Sequence, residues 1–171
     1  MRKRIALLSL AGLVSLGAIV LAAFMTGNDV SATGYYDLIA GNRGGVGENV
    51  GEVAIWNTDT DMTIQYSPDS PWCLTEVHVC VTTNPELLTK WLPPGNARKC
   101  EDLGGFHVGV EFDMCKNDHT VTIPLSAISA DCGETVYVQA HAVVENRCTG
   151  RQETAYGNEF KASFAHPLCP C

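Results

Sequence analysis

Apolar and polar residues alternate along much of this chain with a period of two, the signature of half-buried strands rather than helices. Met62, Ile64 and Tyr66 alternate with Thr63, Gln65 and Ser67, and Val53 and Ile55 stand opposite Ala54 and Trp56. Between these two runs, Asn57-Thr58-Asp59-Thr60-Asp61 predicts a hairpin turn, because Asn and Asp side chains bond their own backbone. Residues 73–82 predict a strand with Thr75, Val77, Val79 and Val81 on one face and Glu76, His78 and Cys80 on the other. Residues 105–113 turn Phe106, Val108, Val110 and Phe112 inward and His107, Gly109 and Glu111 outward. Val121, Ile123 and Leu125 form a further strand, and Pro124 on its opposite face marks it as an edge. The longest pattern, 134–144, sets Val136, Val138, Ala140, Ala142 and Val144 against Tyr137, Gln139, His141 and Val143, and Phe160, Ala162 and Phe164 close the series.

The interruptions are few. Residues 41–51 hold five glycines and read as a loop. Asn84-Pro85 starts a single helical turn through Lys90, which Pro93-Pro94-Gly95 ends. Seven or eight short strands with almost no helix predict an all-β domain, an antiparallel β-sandwich of Ig-like or jelly-roll outline.

The N-terminus follows a different rule. Met1-Arg2-Lys3-Arg4 carries three basic side chains, Ile5 to Met25 then runs 21 residues without a charge, and Val30-Ser31-Ala32 is a small-x-small triplet. That order is a secretory signal. The apolar run is also long enough to span a bilayer, so a retained anchor with its basic end in the cytoplasm is the rival reading. Both divide the chain into residues 1–32, signal peptide or signal-anchor, and residues 33–171, an exported domain.

Composition sharpens this picture. Setting aside the leader's three basic residues and Asp29 leaves 8 basic against 18 acidic side chains, a net charge of −10. Such a surface repels phosphate, so nucleic acid is excluded as a partner, and the membrane is met only through the leader. All eight cysteines (Cys73, Cys80, Cys100, Cys115, Cys132, Cys148, Cys169, Cys171) fall in the exported part and predict up to four disulfides. Their connectivity stays open. No Asn-x-Ser/Thr sequon occurs, which leans toward a prokaryotic source.

Several motifs together resemble uncharacterised exported β-rich proteins of bacteria and archaea. They are Trp72-Cys73-Leu74-Thr75-Glu76-Val77-His78-Val79, Thr122-Ile123-Pro124-Leu125, Val138 to Val144, Glu153-Thr154-Ala155-Tyr156, and the start Gly34 to Gly41. The resemblance implies an exported β-rich domain and brings no known activity. The chain departs from the pattern at Cys80 and in its short, Cys-rich 91–115 region.

For chemistry, polar residues planted in apolar strands are the candidates. Glu76 and His78 share a face, as do Gln139 and His141; if their strands pair, Glu76, His78 and His141 make a ligand set for Zn²⁺ or Cu²⁺. His107, His119 and His166 have weaker claims. Asp59, Asp61 and Asn57 lack the glycine and distal Glu of an EF-hand loop, and turn chemistry accounts for them. Trp56, Trp72, Trp91, Tyr35 and Tyr36 suit either a sugar-stacking surface or a core. Neither a phosphate-binding glycine loop nor a nucleophile elbow is present. The expectation is therefore a non-enzymatic cell-surface or envelope domain for adhesion, assembly or structure, met by a protein or cell-surface partner and requiring no cofactor. The alternatives are a metal-binding domain and an accessory subunit of a membrane complex held by residues 5–25.

Overall fold

The computed structural model describes residues 34–41, 47–84, 100, 105–131, 133–157 and 164–168. The leader, the helical turn expected after Asn84, Trp91, Phe160, Ala162, Cys132, Cys169 and Cys171 lie outside the described residues. Among the described residues no helix is long and apolar enough to cross a membrane.

The described chain is all-β and antiparallel, as the period-two pattern predicts. Its strands are β1 (Gly34–Ala40), β2 (Glu48–Asn57), β3 (Asp61–Pro68), β4 (Trp72–Thr82), β5 (Phe106–Lys116), β6 (His119–Pro124), β7 (Thr135–Asn146), β8 (Arg151–Gly157) and β9 (Phe164–Pro167). They form one sheet in the order β5-β4-β7-β8-β1-β2-β3-β6, with β9 added along β7.

The expected sandwich of two facing sheets gives way to this single sheet, rolled nearly closed into a barrel. The connection between β5 and β6 explains why. These strands hold opposite ends of the order, yet only Asn117 and Asp118 separate them. Laid flat, eight strands would put the end strands about 34 Å apart at ~4.8 Å per gap. Three Cα steps span at most about 11 Å. The two ends must therefore curl toward each other, and at the seam the rings of Phe112 and His119 meet edge to face with centroids 4.8 Å apart.

The predicted inward rows fill the barrel. Val53, Ile55, Met62, Ile64, Val77, Val79, Val81, Val136, Val138, Ala140, Ala142 and Val144 are all buried in one cluster. Tyr66 lies among them, and its hydroxyl donates to the His78 carbonyl oxygen across the barrel at 3.0 Å. Burial pushes that phenol well above its ordinary range. Phe106, Val108, Val110 and Phe112 are only partly buried, because β5 is an end strand. β6 is the other end, which agrees with the edge position inferred from Pro124.

Two local readings change. Thr75 does not share a face with Val77: the register with β7 shifts between Leu74 and Glu76. This bulge lets Trp72 and Leu74 point inward before it and Val77 after it, while Thr75 Oγ1 donates to the Val143 carbonyl at 3.2 Å. Residues 48–51 are strand rather than loop. Gly51 has φ +147°, and a Cβ there would sit 2.4 Å from the Ser67 carbonyl oxygen, so this glycine permits close strand pairing. β1 and β8 complete the wall between β2 and β7, although β8 begins with the polar run Arg151-Gln152-Glu153-Thr154.

The Asn57–Asp61 turn forms as expected. Thr58 N–H donates to the Asp61 carbonyl at 2.8 Å, and Asp61 N–H donates to Thr58 Oγ1 at 3.1 Å. Thr60 Oγ1 donates to Asp61 Oδ2 at 2.6 Å.

Candidate functional site on the outer wall

With the interior filled, the outward rows of β5, β4, β7 and β8 decide where chemistry is available. Register arranges them as a grid. One row is Glu111, Glu76, Val143 and Thr154; the next is Gly109, His78, His141 and Tyr156; the third is His107, Cys80 and Gln139. The strands of Glu76 and Gln139 do pair, the condition on which the expected ligand set depended, and His78 stands directly opposite His141.

Contacts within the grid are dense. The Glu76 carboxylate Oε1 pairs with His78 Nε2. The other nitrogen of that ring, Nδ1, lies 3.3 Å from His107 Nε2. The His78 centroid is 5.4 Å from that of His107 and 5.5 Å from that of His141. His141 in turn lies against Tyr156, with ring centroids 5.1 Å apart. Three imidazoles from three adjacent strands thus form a continuous line, with His78 in the middle.

Local sequence makes room for this line. A Cβ at Gly109 would lie 2.7 Å from His78 Nδ1 and 3.2 Å from His107 Cε1. Only glycine at that register position lets the two rings approach each other. Two disulfides bracket the patch along β4: Cys73–Cys115 ties it to β5, and Cys80–Cys100 ties it to a buried Cys100. From inside, Tyr66 holds the His78 backbone. The patch therefore sits on a stiff section of wall.

His141 is unusual for an outward residue. It is only 3% exposed, and both of its ring nitrogens lack a hydrogen-bond partner. The Gln139 amide nitrogen beside it is also buried without a partner. Leaving a buried donor or acceptor unmet costs about 1–3 kcal/mol. Burial first, and the neighbouring His78 second, lower the His141 pKa to about 3, so the ring is neutral at physiological pH.

Of the expected metal set, Glu76 and His78 are joined directly and His141 adjoins His78. His107, given a weaker claim on sequence grounds, belongs to the same cluster. Its outward parity beside Gly109 and Glu111 was legible; the neighbour it would meet was not. His119 lies elsewhere, at the seam opposite Tyr66, where partial burial lowers its pKa. The His166 side chain lies outside what is described. Among the described residues, no three His, Cys, Asp or Glu side chains converge on a ready-made metal position.

Trp72 is buried, Trp56 is partly buried, and Tyr35 is 65% exposed, so they do not form one stacking platform. The remaining described cysteine, Cys148, is exposed in the turn after β7 and has no disulfide partner among the described residues. No protein-family model, curated protein or solved structure matches this chain.

Proposed function

We propose that this chain is an exported domain that works by binding on the outside of a rigid barrel, serving adhesion, assembly or structure at the cell surface or envelope. The observation that carries this reading is the filled interior: sixteen buried side chains of β2, β3, β4 and β7, Tyr66 included, occupy the space a ligand-carrying barrel would leave open. Contact with other molecules then falls to the outer wall. Two disulfides support export, since such bonds persist in oxidising compartments. The leader pattern of residues 1–32 supports it independently.

Intact mass spectrometry of the protein from its native host tests this reading. The expected mass begins at Thr33 and rises on reduction by two hydrogens for each of the two bridges described. A mass retaining residues 1–32, with thiols oxidised, favours an anchored subunit of a membrane complex. Fully reduced thiols on a cytoplasmic protein would overturn export.

A further inference from the structure

We infer that the outer-wall patch is a divalent transition-metal site in which His78 Nδ1 and His107 Nε2 are the ligating nitrogens and Glu76 orients the first ring. This deepens the outer-wall reading and rests on it, but it does not depend on export.

Four observations converge. The two nitrogens are 3.3 Å apart. Two imidazole nitrogens on one tetrahedral ion, each at ~2.0–2.1 Å, are separated by about 3.3–3.4 Å. The spacing is thus that of a ligand pair. Secondly, Glu76 engages the other nitrogen of His78. A ligating histidine typically gives its second N–H to a carboxylate, which fixes the tautomer and leaves the first nitrogen free to bind. Glu76 therefore moves from the ligand role expected from sequence to an orienting one.

The third observation is Gly109. It keeps the space beside His78 Nδ1 clear, where any side chain would collide. The fourth is the ring spacing: the His78 and His107 centroids are 5.4 Å apart. Two imidazoles on one ion at these bond lengths have centroids about 5.2 Å apart. His141 stands on the opposite side of His78, on β7, and is not assigned as a ligand. Imidazole donors suit Zn²⁺ and Cu²⁺, with Cu²⁺ the tighter by the usual order for divalent ions.

The full chain, purified with its disulfides intact and stripped of metal, is titrated calorimetrically with Zn²⁺ alone and with Cu²⁺ alone. One equivalent of each is expected to bind, Cu²⁺ more tightly. His107→Gln and His78→Gln should weaken binding at least ~100-fold, and Glu76→Gln by ~10–100-fold. Gly109→Ala should weaken binding by displacing the His78 ring, and His119→Gln should leave it unchanged. The spin-resonance spectrum of the Cu²⁺ form should show nitrogen couplings that fall by one in His107→Gln. Near-ultraviolet circular dichroism certifies each variant's fold. His107 is on an end strand and only partly buried, so that variant is expected to fold. Absence of stoichiometric binding, or binding indifferent to His78→Gln and His107→Gln, would overturn the site and leave the pair as a hydrogen bond. Binding that survives His107→Gln but not His141→Gln would overturn the ligand assignment. None of these results bears on the mass measurement, so failure of the metal site and failure of export are distinguishable.

Discussion

The barrel has two outer walls of opposite character. On β3 and β6, Thr63 faces Thr122 and Gln65 faces Thr120. Those positions are partly or fully exposed, so their polar groups are open to solvent. On β4 and β7, the corresponding outward positions carry Glu76, His78, Gln139 and His141, and the last two are buried. Both walls obey the same alternation and enclose the same core. They differ in what covers the outer face and in which side chains meet there. A polar residue on a solvated wall is ordinary, whereas one buried without partners on an outer wall carries a desolvation cost that needs a physical reason.

The contrast predicts where perturbation is costly. The largest effect is expected from the bridges, since both described disulfides end on β4 and none reaches β3 or β6. Replacing Cys80 and Cys100 together by Ala should cost ~2–4 kcal/mol in urea unfolding. A change below 0.5 kcal/mol would show that the β4 wall needs no covalent brace.

The next effect is on pH dependence. In metal-free protein, His141 has a pKa of about 3 when folded, against an ordinary value near 6.5. Above pH 6.5 both states hold the ring neutral and the group has no influence. Between pH 6.5 and 3 only the unfolded state binds the proton, so stability falls as pH falls, by ~1.4 kcal/mol per unit at most. His141→Phe should flatten that slope and raise stability at neutral pH by about 1–2 kcal/mol, since it removes two unmet nitrogens. An unchanged acid slope in this variant would mean that His141 is protonated in the fold. The smallest effect belongs to the solvated wall: Thr63→Ala with Thr122→Ala should cost only ~0.2–1 kcal/mol by the same unfolding assay. A larger loss there would erase the contrast between the walls.

Much of this was legible in the chain. The inward rows of β2, β3, β5, β6 and β7 follow directly from alternation, because a strand projects successive side chains to opposite faces. β8 was not legible, because Arg151-Gln152-Glu153-Thr154 lacks an apolar face of its own and joins the sheet through its neighbours β7 and β1. The bulge at Thr75 was hidden too, since a phase change in one strand is defined only against its partner. The site was half legible. Glu76 with His78, and Gln139 with His141, share faces by parity within one strand. That His107 joins them, and that Glu76 occupies one nitrogen of His78, required the register of β5 on β4.

What the sequence determined by itself was local and short-range: strand type, the face each side chain takes, the Asn57–Asp61 turn and the charge of the surface. Each depends on residues only a few positions apart. The tertiary structure decided whether the sheet would stack or roll. It set β5 and β6 at opposite ends despite their two-residue connection, and it lined His107, His78 and His141 across three strands. Those outcomes depend on pairings between residues tens of positions apart. Strand pairing is specified by the joint packing of all the inward rows, and no single row contains it.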